Sequence, residues 1–334
     1  QLLLLLITGL VFFFWIFYNY KSLRKRNQIE CLKLFKFHYV NKIPLFASLI
    51  FMLNLTRMFD LDATFVYIES IEFFLMITLT VSFWKRIPRK VFLVWIIFVL
   101  LFLSQSFSRY LGLPFYLGRW LSLIINCASS LLGIYTLRRF KKQYSDHKVL
   151  YLTGILYTLF NLLAVLCNLF GRVTLMQVFS TSGTYAFIQT VALIVFIGSV
   201  TEAFLLQIQS SRVRKDYKEY FDHTEIAKGI SRLVVLFAIV IWLVVFTTNM
   251  NLYNLLSFKI SKLLSSSHTI GSFSFTLGGI ILFLAIMWAA NFLQKYIAYF
   301  FGDVGDDSSF SDKSQRSRLM ITRLVLLVAG FLLA

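Results

Sequence analysis

Long apolar runs separated by short polar breaks constrain this 334-residue chain more than any other feature. A helix needs about 20 predominantly apolar residues to cross the hydrocarbon core of a bilayer. Runs of that kind lie at about 2–20, 43–59, 63–84, 91–109, 115–137, 149–170, 184–208, 233–250 and 276–301, and a tenth begins near 319. They are continuous and do not alternate with period two, so they read as helices, which satisfy their own backbone hydrogen bonds in lipid, and not as barrel strands. The expected fold is an all-α polytopic membrane bundle of about ten transmembrane helices plus one interfacial amphipathic helix. Composition agrees: 58% of the residues are hydrophobic and 14% charged, against about 45–50% and about 25% in soluble domains. No break between runs is long enough for a soluble catalytic domain.

The formal net charge of +18 is distributed unevenly. Basic clusters follow the first, third, fifth, seventh and ninth runs, beginning with Lys21, Arg24, Lys25 and Arg26 and including Arg138, Arg139, Lys141 and Lys142. Of the 33 Lys and Arg residues, only Arg57, Arg109, Arg119, Arg172, Lys259 and Lys262 fall toward the opposite side. Basic loops stay cytoplasmic, so the first span is expected to start outside. The eight basic residues just named are candidate contacts for anionic lipid headgroups, the partners such a charge suits; nucleic acid is not an expected partner. Gln1 is not an initiator Met, and the last apolar run stops before full spanning length. The expectation is a piece of a longer protein.

The segment 251–264 does not read as a span. Leu252, Leu255, Leu256, Ile260, Leu263 and Leu264 recur at i, i+3, i+4 spacing, with Asn254, Ser257, Ser261 and Lys262 opposite. That pattern predicts an amphipathic helix lying in the headgroup plane. The Ser-rich run Ser265–Ser274 reads as a flexible joint. Together they divide the chain into an eight-helix membrane array, 1–250, an interfacial helix and joint, 251–269, and a C-terminal unit, 270–334. The apolar residues Leu252, Leu255, Leu256, Ile260 and Leu263 are the candidates for coupling the array to that unit.

Inside the spans, Glu69 and Glu72 sit one turn apart on one face of the third run, and Arg57 lies near the end of the second. An intramembrane charge is a functional suspect. A carboxylate pair suits a proton or cation relay, and Arg57 neutralising one acid across the hairpin is the favoured structural role. Other chemistry is not indicated. The three cysteines are far apart, the four histidines fall in loops without metal-ligand spacing, and the Gly302–Asp307 loop lacks an EF-hand pattern. No catalytic constellation, metal site or cofactor is expected.

The stretch from Ile270-Gly271-Ser272-Phe273-Ser274-Phe275-Thr276-Leu277, through Lys295-Tyr296-Ile297-Ala298-Tyr299-Phe300-Phe301-Gly302-Asp303, to Ser314-Gln315-Arg316-Ser317-Arg318-Leu319-Met320-Ile321-Thr322-Arg323-Leu324 resembles the segment before the pore helix in large bacterial MscS-like (small-conductance mechanosensitive) channels. The resemblance covers 270–334. It implies that this chain is the membrane sensor of a channel opened by membrane tension during osmotic downshock. It also implies a heptameric homo-oligomer and ions passing through a pore helix that follows residue 334. The alternatives are a secondary transporter, which needs Glu69 and Glu72 in a central cavity, and a polytopic membrane enzyme or anchor.

Overall fold

The computed structural model describes residues 2–25, 37, 39, 44–59, 64–84, 86–112, 114–139, 148–214, 224–270 and 273–300, without the side chains at 2, 57, 212–214, 224–226, 268–270, 273–275 and 291–300. Among the described residues, seven helices are long and apolar enough to cross a membrane. These are α1 (Leu2–Lys25), α3 (Phe65–Phe83), α4 (Arg89–Tyr110), α5 (Phe115–Arg139), α6 (Lys148–Leu169), α7 (Val173–Arg214) and α8 (Thr224–Asn249). The shorter α2 (Leu45–Phe59), the amphipathic α9 (Tyr253–Ser265) and the apolar α10 (Leu277–Phe300) complete the helices of the described residues. The first nine apolar runs thus each hold a helix, and the tenth lies outside the described residues. The chain is an all-α membrane-embedded bundle, with one two-stranded hairpin, β1 (Ser267–Ile270) and β2 (Phe273–Thr276).

Helix α7 departs most from expectation. The polar string Ser180-Thr181-Ser182-Gly183-Thr184 reads as a break, yet the helix runs straight through it. The reason is local. Thr181 and Thr184 donate to the carbonyls of Gln177 and Ser180, each at 2.8 Å, so the hydroxyls are satisfied without interrupting the helix. At 42 residues α7 is about 60 Å long by the helical rise, roughly twice the hydrocarbon thickness. Its start is set by Gly171, whose φ of +73° ends α6. The Gly171 and Arg172 amides donate to the Asn168 and Cys167 carbonyls, a left-handed cap that favours glycine. Asn251 takes the same role after α8, with φ +55° and its amide on the Thr248 carbonyl.

Two compact units are distinguishable. The first draws on the described residues of 1–17, 38–202 and 231–253. Its core is the middle of α7, where Tyr185, Ile188, Ala192 and Phe196 are buried. Phe51 of α2 stacks between Phe12 of α1 and Phe196 of α7, with ring centroids 4.2 and 5.5 Å apart. Trp242 of α8 donates its indole N–H to Thr190 at 2.9 Å, and Gln189 donates to buried Asn54 at 2.9 Å. The α5–α6 hairpin is closest at Gly133, where an added Cβ would stand 2.2 Å from the Thr158 hydroxyl. Small residues at such crossings let membrane helices approach. Around this core, α1, α3, α4, α5 and α6 expose large apolar side chains such as Phe14, Phe74, Leu93, Leu131 and Leu152, as helices facing lipid do.

The second unit draws on the described residues of 18–37, 203–230 and 254–334. In it Asn19 of α1 donates to Gln207 of α7. The run expected as a flexible joint is an antiparallel hairpin pairing Ser267 with Thr276 and Ile270 with Phe273. Beside it α10 starts hard against the end of α9: a Cβ on Gly278 would lie 3.0 Å from the Leu264 carbonyl oxygen. The joint is therefore backbone against backbone.

Candidate functional site

Charge inside an apolar bundle is costly unless paired, so the site is built outward from Glu69. The first turns of α3 bury Glu69 and Glu72, at 6% and 1% exposure. The cation that the structure brings to Glu69 is Arg109, from the last turn of α4. Its guanidinium donates to one carboxylate oxygen, the neighbouring Tyr110 hydroxyl donates to the other at 2.5 Å, and Phe65 presents its ring 5.1 Å from the guanidinium carbon. Sequence reading assigned the pairing to Arg57. That residue lies on α2 as expected, with its side chain outside the described residues. Arg109 was passed over because it was weighed only as one of six basic residues toward the side opposite the basic clusters. The signal that finds it is depth: Arg109 ends the fourth apolar run at the same level at which Glu69 begins the third.

Behind Arg109 the polar contacts continue into α7. Gln105 of α4 donates its amide to Ser180 of α7, and Ser180 donates its hydroxyl to Asn126 of α5. Thr184 completes the cluster with a 3.4 Å contact to the Gln105 carbonyl oxygen. On the other side a groove of about 900 Å³ between α3, α4 and α5 is lined by Phe73, Phe102, Phe107, Leu121 and Ile125, with Glu69 and Tyr110 among its polar members. Chemically, the arrangement neutralises a buried carboxylate and fastens α3 to α4 at one end of the bundle.

A second polar cluster, which sequence reading missed, closes on Tyr39. Its backbone N–H donates to Glu202 of α7 at 2.7 Å. Arg86, just before α4, places its guanidinium 5.3 Å from the ring centroid. The ring fills a notch at Gly198, where a Cβ would come within 2.5 Å of it. Burial, and then the Glu202 carboxylate, push the Tyr39 phenol above the ordinary tyrosine pKa, while Arg86 opposes them. No sequence spacing links residue 39 to residues 198 and 202.

The basic candidates sit where helices end. Lys21, Arg24 and Lys25 occupy the last turns of α1, and Arg138 and Arg139 the last turn of α5, all exposed. Cations there also complement the helix dipole. Arg26, Lys141 and Lys142 lie outside the described residues. The coupling candidates Leu255, Leu256, Ile260 and Leu263 are on α9, and Leu252 directly precedes it. No side chain of α9 is buried, and these leucines and Ile260 are 37% to 59% exposed. Cys127 and Cys167 are free thiols, and no group of metal-ligating side chains occurs among the described residues.

No protein-family model, curated protein or solved structure matches the chain.

Proposed function

We propose that this chain is the membrane sensor of an MscS-like mechanosensitive channel, set in a bacterial inner membrane with its basic helix ends in the cytoplasm. The observation that carries the reading is the α9–α10 junction. An amphipathic helix with its apolar side chains uncovered is held, through a paired hairpin and the Gly278–Leu264 contact, against the start of a long apolar helix. A helix floating at the headgroup level feels changes in lateral packing, and a stiff joint passes its displacement on. The resemblance of 270–334 to the segment before an MscS-like pore helix supports the reading. A channel that occupies more area when open is favoured by tension in proportion to that area, a two-state equilibrium biased by the lipid. The exposed apolar faces of α1 and α3–α6 form a lipid-facing paddle, and the basic ends steady it at anionic headgroups by about 1 kcal/mol per residue.

The test is osmotic. The complete product of the gene that encodes this chain, expressed in cells stripped of mechanosensitive channels, is expected to restore survival of osmotic downshock. The Gly278→Val form, expressed to the same level, is expected to restore less. Failure of the unaltered product in membranes that contain it would contradict the reading.

A further inference from the structure

We propose that one water molecule is bound as a fixed structural ligand where α4, α5 and α7 meet, hydrogen-bonded to Arg109 Nε and Asn126 Nδ2. Ser180 has one hydroxyl proton. Gln105 donates to Ser180, and Ser180 gives its own proton to the Asn126 carbonyl oxygen. The Asn126 amide is thereby fixed: its oxygen faces Ser180, and its NH2 group points elsewhere. That NH2 is buried, on a residue 2% exposed, and meets no protein acceptor. Arg109 repeats the situation. Its terminal nitrogen serves Glu69 and Ser106, yet its Nε–H is buried without a protein acceptor.

Both residues line the same cavity of about 20 Å³. One water needs about 10–15 Å³ measured this way and two to four polar partners. The occupant must accept from two donors and be no larger than one water. A monatomic anion would also accept, but Arg109 is already neutralised by Glu69. An anion would then stand in a low-dielectric interior with no net countercharge, which is strongly unfavourable. Water suits the neutral site. Ser108 and Ser122 line the same cavity and supply further polar groups to its wall. With it, Glu69, Arg109, water, Asn126, Ser180 and Gln105 form one continuous chain from α3 to α7. The inference is independent of what the protein senses or transports.

The experiment is electron cryo-microscopy of the complete protein in lipid nanodiscs, at a resolution that shows ordered water, in chloride and again in iodide. The expected result is a single peak about 2.7–3.2 Å from both Arg109 Nε and Asn126 Nδ2, of equal height in the two salts, and lost in Asn126→Leu. No peak, with the two donors turned to protein acceptors, would overturn the proposal. So would a peak that strengthens in iodide, which marks an anion, or one that persists in Asn126→Leu. If Asn126→Leu does not fold, the two wild-type maps decide.

Discussion

Removing the guanidinium of Arg109 while Glu69 remains leaves a buried carboxylate without its cation. That is far worse than removing both charges. Arg109→Met is expected to destabilise the protein by about 3–5 kcal/mol, and the double variant with Glu69→Gln to recover part of the loss, measured by thermal unfolding in nanodiscs. Equal losses in single and double variants would show that the two residues do not interact. Tyr39 gives a pH test. Its folded pKa is raised, so the stability it contributes is complete below the unfolded tyrosine pKa of about 10. That contribution disappears as pH rises through the folded value. The tyrosinate absorbance step missing from Tyr39→Phe should lie above about pH 10; a step at or below it contradicts the buried placement. At this scale the sequence was half legible. Glu69 and Glu72 on one face announced a buried acid site, since helical spacing alone decides that. Their neighbours come from elsewhere in the chain, and only packing brings residue 109 to 69 or 39 to 198.

Among elements, the apolar runs were legible because a spanning helix must write about 20 consecutive apolar residues into its own sequence. The α7 start was not, because serine and threonine look alike as loop residues and as helix residues bonded back to the preceding turn. The hairpin before α10 was hidden for a similar reason: its strands are only four residues each. Packing between elements gives its own test at Gly133. Alanine there meets the Thr158 hydroxyl, so Gly133→Ala is expected to cost about 1–3 kcal/mol, in the range of overpacked cores. Adding Thr158→Ala should restore most of it, read as the shift in unfolding midpoint. No rescue would mean that α5 and α6 do not cross there.

Within the first unit, α7 buries polar side chains such as Ser180, Gln189 and Thr190 beside its apolar core while the surrounding helices expose apolar ones, the arrangement a bilayer demands. The uneven basic charge carries the proposed orientation. Single cysteines in an otherwise cysteine-free protein check it: Lys142→Cys should react with a membrane-impermeant maleimide only from the cytoplasmic side, and Asn254→Cys only from the other. The reverse pattern would invert every span. The proposed tension sensing is tested most directly by patch recording of the complete protein in liposomes, comparing wild type with the Leu255→Ser, Leu256→Ser, Ile260→Ser triple variant. The account predicts that removing the apolar face of α9 raises the tension needed for half-maximal opening while unit conductance stays the same. An unchanged threshold in a variant that inserts and conducts normally would contradict it.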